Sequence, residues 1–154
     1  APLNLFNNPA NLFVAGFIGS PAMNFIPCML EGDATGVYAN AESFRVRIPD
    51  SKVKQSDALA GYIGKEVIFG VRPQHIYDKH LSLVPATPEN TVRAVVDVSE
   101  PMGSIVTLYL TAGRHAIVAE VDAETKAQDG APVEVVFDME KTHLFDKTTE
   151  KAIC

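Results

Sequence analysis

The chain has 154 residues, of which 47% are hydrophobic and 21% charged, and its formal net charge is −6. This length suffices for one sizeable core or for two small barrels packed together, and the composition is that of an ordinary globular protein. The 13 basic residues are spread along an acidic chain. This is the wrong charge pattern for binding a phosphate backbone, so nucleic acid is not an expected partner.

The sequence shows no pattern for spanning a membrane or for export. The longest apolar stretch, Leu12–Ile18, is closed by Gly19 and is far shorter than the ~18 residues that cross a bilayer. No basic region precedes an apolar one in the first eight residues, so a secretory signal is not expected. Cys28 and Cys154 have no C-x-x-C partner and no nearby histidine. We therefore expect neither a zinc site nor a disulfide, which fits a reducing cytoplasm.

A short helix is predicted at residues 8–19. Asn8 is a suitable N-cap, Pro9 occupies the first helical position, and Gly19 is a typical terminating residue. The segment between them is almost entirely apolar, so such a helix must be buried against other protein surface. In an isolated fragment we expect part of that partner surface to be missing.

After Pro21 the apolar residues alternate as in β-strands. One strand is predicted around Cys28–Glu31, with a turn at Gly32–Asp33. Residues 51–64 have no period of two and are predicted to be a loop, with at most one helical turn near Leu59. Two further strands have these inward-facing residues: Phe44, Val46 and Ile48 in one, and Val67, Phe69 and Val71 in the other.

The prolines and polar residues near 85–90 mark the best internal boundary, and a second block of strands follows it. Turns are predicted at 101–104 and 112–113, and a polar loop at 124–130. Short strands at such regular spacing indicate a small barrel or sandwich. The inward-facing residues of the four predicted strands are Val92, Ala94, Val96 and Val98; Val106, Leu108 and Leu110; Ile117, Ala119 and Val121; and Val133, Val135 and Phe137.

Several runs of the sequence resemble the ATPase subunits of maltose-type and glycerol-phosphate-type ABC importers. The most specific is P-A-N-L-F-V-A-G-F-I-G-S-P-A-M-N-F-I-P at residues 9–27. Supporting runs are G-V-R-P-Q-H-I at 70–76, V-S-E-P-M-G at 98–103 and T-H-L-F-D at 142–146. Their order and spacing also match, so the resemblance covers essentially the whole chain.

The resemblance implies a mainly β fold of small OB-like (TOBE or MOP-like) barrels with one short N-terminal helix. Residues 1–20 would be the tail of a nucleotide-binding domain, and residues 21–154 the regulatory β domain, with its internal boundary near 85–90. ATP chemistry in the family needs a G-x-x-x-x-G-K-[ST] loop. The nearest segment, Gly61–Glu66, has the wrong glycine spacing and a glutamate in place of the metal-binding hydroxyl. The fragment is therefore expected to be non-catalytic, with no cofactor or metal of its own. ATP and magnesium belong to the missing domain.

Three residues are candidates for a ligand-binding loop. Relatives that import molybdate bind oxyanions with a similar β domain, and backbone amides and hydroxyls are suitable donors. By that likeness Glu100, Gly103 and Ser104, which flank a predicted tight turn, form the candidate loop. The alternative is that Gly103 only supplies the positive φ of a hairpin turn.

Other polar residues have a simpler structural interpretation. His75 follows Arg72 and Pro73 at a strand end, but no nucleophile and orienting acid can be named for it, so a structural role is preferred. A metal site would need histidines to converge from distant segments, and the remaining three are isolated: His80, His115 and His143. The pair Arg45 and Arg47 is interpreted as a solvated strand face.

Two functional classes remain open. In the first, the chain is the regulatory and dimerising domain of a sugar-importer ATPase subunit. Its expected partners are a second copy, the membrane-spanning permease subunits and a regulatory protein, at the cytoplasmic face of the inner membrane. The second is a stand-alone module that binds an oxyanion or a sugar. An OB-type binder of single-stranded nucleic acid ranks last, because the chain is acidic.

Overall fold

The computed structural model describes Ala10, Asn11 and residues 22–154. Within this part the chain forms ten strands and one α-helix, arranged in two five-stranded antiparallel sheets. The predicted helix at 8–19 and the predicted domain tail at 1–20 lie outside the described residues, apart from Ala10 and Asn11. Among the described helices, none is long and apolar enough to cross a membrane.

The first sheet combines the early strands with one from the C-terminus. Its strands are β1 (Asn24–Asp33), β2 (Gly36–Asn40), β3 (Arg45–Ile48), β4 (Glu66–Val71) and β10 (His143–Asp146). They lie in the order β10-β4-β1-β2-β3. Alternate residues of these strands are buried on one face, as the alternation predicted for β3 and β4 requires. That prediction is confirmed.

β1 is longer than the sequence pattern indicated, because it begins at Asn24 and passes through a proline. Proline has no backbone N–H to donate, so it is tolerated only where one side of the strand is unpaired. At Pro27, β1 pairs with β4 alone, since its pairing with β2 begins at Met29. The apolar alternation of β1 therefore continues across Pro27.

The turn after β1 falls two residues later than predicted. Gly32 and Asp33 are the last residues of β1, and the turn itself is formed by residues 34–35. The carboxylate of Asp33 accepts hydrogen bonds from the backbone N–H of Thr35 at 2.7 Å and of Gly36 at 3.2 Å. An aspartate that bonds the backbone two residues on stabilises such a turn.

The connection from β3 to β4 is not the simple loop predicted for residues 51–64. It contains helix α1 (Asp50–Gln55) and a 3-10 turn at Leu59–Tyr62. The helical turn expected near Leu59 is confirmed, and Leu59 is buried in the core. α1 was missed because its six residues include no buried one. Without an apolar face, the helix leaves no periodic signal in the sequence.

The second sheet contains the strands predicted after residue 90 and one short strand before it. Its members are β5 (Ile76–Asp78), β6 (Thr91–Met102), β7 (Ile105–Ala112), β8 (His115–Asp122) and β9 (Pro132–Phe137). Their order is β5-β9-β6-β7-β8. The predicted loop at 124–130 lies between β8 and β9. The first predicted turn is shorter than expected, since residues 103–104 join β6 to β7, and the second lies one residue later, since residues 113–114 join β7 to β8.

The two sheets pack around one hydrophobic core. Phe137 of β9 stacks on Phe69 of β4 with ring centroids 5.8 Å apart, and meets Phe44 edge-on at 5.6 Å. All three rings are buried. Aromatic side chains bury large apolar areas and gain further from such ring contacts. These three rings therefore join the two halves of the molecule.

Three of the edge strands form hydrogen bonds with other parts of the chain. On β10, Leu144 exchanges backbone hydrogen bonds with the C-terminal residues Ile153 and Cys154. On β3, the N–H of Arg47 donates to the carbonyl of Glu89 at 3.0 Å. On β8, the side chain of Asn24 bonds the backbone of Val118, donating to its C=O at 2.9 Å and accepting from its N–H at 2.8 Å. At these positions the edge strands cannot add a strand from another chain.

Candidate interaction surface

The second sheet carries four large hydrophobic side chains on its solvent side. The register places them on one face of the β6–β7 hairpin, since Val98 lies opposite Tyr109 and Met102 lies opposite Ile105. Their exposed fractions are 42% for Val95, 50% for Val98, 55% for Met102 and 40% for Tyr109. We call these four residues the outer apolar face. An exposed apolar patch of this kind is typical of an interaction site.

A bulge in β6 creates this face and corrects one prediction. Val98 was expected to point inward with Val92, Ala94 and Val96, but it is half exposed. The register shifts between Val96 and Val98, where Asp97 is an extra residue with no partner in β7. A one-residue bulge moves the following side chains to the other face of a sheet. Val98 therefore joins Val95 on the outside.

Charged residues flank the outer apolar face along β6. Arg93 lies two residues before Val95, and Glu100 lies two residues after Val98; both are exposed. Among the described residues, neither side chain has an ion pair or a hydrogen bond. Asp97 is different, because its carboxylate accepts a hydrogen bond from the Thr111 hydroxyl at 2.6 Å. The face thus has one unpaired cation at one end and one unpaired anion at the other.

The structure brings the three ligand-loop candidates to the tip of the same hairpin. Gly103 and Ser104 form the two-residue turn, and Gly103 has the left-handed φ of +76° that such turns require. Glu100 lies on β6 opposite Thr107. A Cβ built on Gly103 would meet no atom within 4 Å. The turn is therefore open to solvent, and its conformation by itself accounts for the glycine.

A groove lies at the end of the second sheet away from the Gly103–Ser104 turn. It has a volume of about 630 Å³, with Arg93 at one side, and its other lining residues are Asp78, His80, Leu81, Glu124, Lys126, Ala127, Pro132, Val133 and Glu134. Asp78 holds its walls together, because its carboxylate accepts from the Thr125 hydroxyl at 2.6 Å and from the His80 N–H at 3.0 Å. Acidic and basic side chains alternate around the groove, so it has no clear preference for a ligand of one charge.

The histidines occupy separate environments. Burial, together with the nearby charge of Lys52, lowers the pKa of His143 to about 4; its Nδ1 lies 3.3 Å from the Cys154 carbonyl. Burial also lowers the pKa of His75, whose Nδ1 is buried without a hydrogen-bond partner. In the part of the chain that the structure describes, no three His, Cys, Asp or Glu side chains converge to hold a metal ion.

The two cysteines are unpaired thiols. Cys28 is buried in the core, and burial raises the pKa of its thiol to about 12, with a further contribution from the Glu66 carboxylate. Cys154 is partly buried, and burial raises its pKa as well. A thiol held in its protonated form is a poor nucleophile. Both cysteines therefore act as packing residues.

Arg45 and Arg47 are occupied within their own sheet. Arg45 forms ion pairs with Glu31 at 2.8 Å and Asp33 at 3.5 Å and lies 3.7 Å from the centre of the Tyr38 ring. The guanidinium of Arg47 pairs with Asp50 at 2.9 Å. This strand face satisfies its own charges, in agreement with its interpretation as a solvated surface.

Part of the outer apolar face could have been found from the sequence. Tyr109 stands at an outward position between Leu108 and Leu110, and Val95 breaks the alternation of β6. Apolar residues at outward positions are the signal of a covered or binding face. Val98 could not have been found in this way, because the bulge at Asp97 has no recognisable local signature.

Comparison with known families shows two matches, in chain order. Residues 19–76 match the profile described as the MalK OB fold domain, and residues 86–144 match the TOBE domain. Over 99% of its length, the chain is 42% identical to the trehalose/maltose import ATP-binding protein MalK of Thermococcus litoralis. It is 39% identical, again over 99% of its length, to the oligosaccharides import ATP-binding protein MsmX of Bacillus subtilis. The chain belongs to this MalK-type family.

The MalK-type chain spans 40% of the length of each of these two relatives. The two matched domains are not the ATPase domain of such proteins. The segment with some likeness to a phosphate-binding loop confirms this, since Gly64 donates its N–H to the Leu30 carbonyl at 2.7 Å and Glu66 begins β4 instead of a helix. A phosphate-binding loop needs free amides at the start of a helix.

Among solved structures, the MalK-type chain is similar to the cytoplasmic molybdate-binding protein ModG in a form with molybdate bound. The TM-score is 0.55, with 16% sequence identity, and the match covers 79% of this chain and 94% of that chain. At this identity the likeness concerns the fold alone. The mainly β, OB-like and TOBE fold expected from the sequence is confirmed.

Proposed function

We propose that this chain is the regulatory and dimerising region of the ATPase subunit of an ABC-type carbohydrate importer. The observation that carries the proposal is the similarity of nearly the whole chain to two sugar-import ATP-binding proteins. The chain also matches an OB fold domain followed by a TOBE domain. In this role the region pairs with a second copy and keeps two ATPase domains together while their nucleotide sites open and close. Its contribution is packing, and catalysis belongs to the ATPase domain.

The packing between the two sheets supports this role. A region that holds two ATPase domains together must keep them in a fixed relative position. Two barrels that moved freely against each other could not do so. Here Phe44, Phe69 and Phe137 join the two sheets through one core. The β7–β8 turn also touches the first half, since a Cβ on Gly113 would lie 2.6 Å from the Ser43 side chain. Interiors packed this closely transmit displacement.

The partners follow from the proposed assembly. ATP and magnesium would bind the ATPase domain, and the membrane-spanning permease subunits would contact the same parent protein at the cytoplasmic face of the membrane. A regulatory protein would contact the present chain. The transported solute would be chosen by other subunits of the importer.

The first test is to read the coding sequence immediately upstream of Ala1. We expect a Walker A loop, a Walker B acid and an L-S-G-G-Q-type signature in the same frame. A start codon directly before Ala1 would contradict the proposal and would make a free-standing β domain the better interpretation.

The second test measures dimerisation of the parent protein without nucleotide. Sedimentation velocity would compare the parent with a form that lacks residues 22–154. We expect the parent to be dimeric and the shortened form to be monomeric, because in the proposed role residues 22–154 hold the two ATPase domains together. Equal dimerisation of both forms would show that this region has no dimerising role.

The competing function is oxyanion or sugar binding at the turn of Glu100, Gly103 and Ser104. Its structural support is the exposed, positive-φ turn, which presents backbone amides to solvent. Calorimetric titration with molybdate, sulfate, maltose and trehalose separates the two proposals. We expect no heat of binding at millimolar ligand, because the Glu100 carboxylate repels anions and no cavity encloses the turn. Saturable heat that is lost in Ser104→Ala would establish the competing function.

A further inference from the structure

We propose that the outer edge of the C-terminal hairpin holds the chain segment that leads in from the ATPase domain, and that this contact fixes the position of that domain relative to the two sheets. The C-terminal hairpin is residues 143–154, which comprise β10, a turn and the segment 151–154. This inference rests on the function proposed above, in which an ATPase domain precedes the described residues. It names the surface that connects that domain to the β region.

The segment 151–154 runs antiparallel to β10 and adds a further strand position to the first sheet. The N–H of Ile153 donates to the Leu144 carbonyl at 2.7 Å, and the carbonyl of Lys151 accepts from the N–H of Asp146 at 2.8 Å. In an extended strand, backbone groups that bond one neighbour alternate with groups that point to the other side. The segment therefore has a second, outer edge that faces away from β10.

This outer edge is occupied by residues near the start of the chain. The N–H of Ala152 donates to the Ala10 carbonyl at 2.9 Å, and Asn11 lies opposite Lys151 in an antiparallel bridge. Backbone hydrogen bonds of this kind join an extended peptide to the edge of a sheet. The strand positions at this side of the molecule therefore follow the order 10–11, 151–154, β10 and β4.

The C-terminal hairpin is itself anchored to the rest of the molecule. Ile153 is buried in the main core, and its carbonyl accepts from the Ser56 hydroxyl at 2.7 Å. The carboxylate of Asp146 accepts from the Tyr62 hydroxyl at 2.5 Å and from the N–H of Thr149 at 2.7 Å. These hydrogen bonds lower the pKa of Asp146 to about 2. A segment that binds the hairpin is therefore bound to the core.

The bridge gives the preceding domain a second attachment to the β region. The chain is held at residues 10–11 and again where β1 begins at Asn24. Segment 151–154, β10 and β4 lie between these two positions, which places them roughly 19 Å apart at about 4.8 Å per strand spacing. A domain joined through one connection is free to move relative to its neighbour. Two separated attachments oppose that rotation.

Disulfide trapping in the 154-residue chain tests the contact. The Ala152–Ala10 hydrogen bond flanks Asn11 and Lys151, so these two residues form a non-hydrogen-bonded pair. The Cα atoms of such a pair lie about 4.5 Å apart, within the range of a disulfide. Asn11→Cys/Lys151→Cys, with Cys154→Ser to remove a native thiol, should form the intramolecular disulfide on oxidation.

The control for trapping is Asn11→Cys/Lys147→Cys, also with Cys154→Ser. Lys147 lies on the hairpin turn and pairs with Glu66 at 3.1 Å, away from the bridge. This pair should remain reduced under the same conditions. Equal trapping of both pairs, or of neither, would overturn the contact.

The positioning role is tested in the parent protein with Ala152→Pro. Proline removes the N–H that donates to Ala10, while the bonds from Ile153 and Lys151 to β10 remain. ATP turnover should fall by at least about threefold, because misplaced reacting groups slow a reaction. The matched control Ala152→Val retains the N–H at the same exposed position and should leave turnover unchanged.

The disulfide also provides a rescue experiment. Asn11→Cys/Lys151→Cys in the Ala152→Pro background should restore turnover when it is oxidised, and reduction with dithiothreitol should remove the recovery. A misfolded protein would not recover on oxidation, and far-ultraviolet circular dichroism checks the fold of each variant. Recovery therefore distinguishes lost positioning from lost folding.

The outcomes separate this inference from the proposed function. Turnover that is lost in Ala152→Pro and recovered by the disulfide supports the positioning role. Unchanged turnover, or a loss that the disulfide does not restore, would overturn it. Sedimentation velocity without nucleotide measures the dimerising function separately, and Ala152→Pro should remain dimeric because its two sheets are unchanged. Equal dimerisation of the parent and of the form without residues 22–154 would contradict the dimerising function, whatever the trapping result shows about the contact.

Discussion

The two sheets differ in how they treat their outward-facing residues. In the first sheet, charged side chains pair with one another: Arg45 with Glu31 and Asp33, and Arg47 with Asp50. The C-terminal residues also cover the outer strand β10 of this sheet. In the second sheet, four hydrophobic side chains are exposed on one face, and Arg93 and Glu100 lie beside them without a partner among the described residues. The outward-facing charges of the first sheet are therefore paired within their own half of the molecule, whereas the second sheet exposes apolar side chains and unpaired charges to solvent.

This difference separates internal ion pairs and exposed apolar surface into different halves of the molecule. Exposed charges are solvated, whereas exposed apolar side chains are unfavourable in water unless another molecule covers them. The second sheet can carry them because it shares its inner face with the first sheet in one core. The comparison predicts that changes at the junction destabilise both halves together, while changes on the outer face affect association alone.

The largest effect is expected from Phe137→Ala. Phe137 is fully buried and touches both Phe44 and Phe69 of the other half. Removing the ring leaves a cavity at the junction, so the free energy of unfolding should fall by about 3–5 kcal/mol. Urea denaturation, followed separately by circular dichroism and by tyrosine fluorescence, measures this change. The two probes should remain coincident.

The matched control for this prediction is Phe25→Ala. Phe25 is 37% exposed and contacts Phe145 edge-on within the first sheet. Its loss should cost clearly less than the loss of Phe137. If Phe137→Ala instead produced two separate unfolding transitions, the two sheets would be independent units and the shared core would not be what joins them.

Asn24→Ala is expected to have the next largest effect. The Asn24 side chain bonds both backbone groups of Val118 on the edge of the second sheet, and it also donates to the Val71 carbonyl at 3.0 Å. Alanine would leave several polar groups without partners, at a cost of about 2–4 kcal/mol. Amide hydrogen exchange should become faster at Val118. Asn40→Ala, a matched substitution in the first sheet, should leave that exchange unchanged.

Much of the fold follows from the sequence because apolar alternation reports burial directly. The inward residues of β3, β4, β7 and β8 were predicted correctly, since each of these strands has one buried face. The early part of β1 was missed because Pro27 interrupts the pattern, and α1 was missed because none of its residues is buried. Alternation cannot reveal elements that lack a consistent buried face.

The candidate surface was harder to predict, because it depends on one irregularity. Val98 follows the same apolar alternation as Val96, and only the bulge at Asp97 turns it outward. The sequence also does not show whether charges such as Arg93 and Glu100 are paired, since pairing with another residue is a property of the folded chain. The ligand-loop role of Glu100, Gly103 and Ser104 stays a prediction.

The third prediction concerns how pH changes the stability of the chain through His143, which is buried at the start of β10. Burial lowers the pKa of His143 to about 4, from an ordinary value of 6.5. Between these two values the unfolded chain binds a proton that the folded chain does not, so stability falls as the pH falls. The loss should reach roughly 2–3 kcal/mol between pH 6.5 and pH 4.

Urea denaturation at several pH values measures this slope in His143→Asn, which retains a donor near the Cys154 carbonyl. The variant should show a shallower loss of stability than the original chain over the same interval. The exposed His80 provides the control, since His80→Asn should leave the slope unchanged. Identical slopes in all three proteins would mean that other groups cause the acid sensitivity.

The smallest effect tests the contact between the β7–β8 turn and the first half. Gly113 and Gly103 occupy equivalent hairpin turns with positive φ, +62° and +76°. A Cβ on Gly113 would lie 2.6 Å from the Ser43 Cβ, whereas a Cβ on Gly103 would meet nothing within 4 Å. Gly103→Ala therefore costs only the backbone strain, about 1 kcal/mol, and Gly113→Ala costs that strain plus a clash, about 1–3 kcal/mol in all.

Adding Ser43→Gly separates these two contributions. The smaller residue removes the atoms that the new Cβ would meet, so the double variant Ser43→Gly/Gly113→Ala should recover the clash but not the strain. Combined with Gly103→Ala, the same Ser43→Gly change should give no recovery, because the two sites share no contact. Thermal unfolding of the three single variants, Ser43→Gly included, and of the two double variants measures the coupling. If Ser43→Gly changed the stability of both glycine variants equally, the β7–β8 turn would not contact the first half. The aromatic core alone would then join the two sheets.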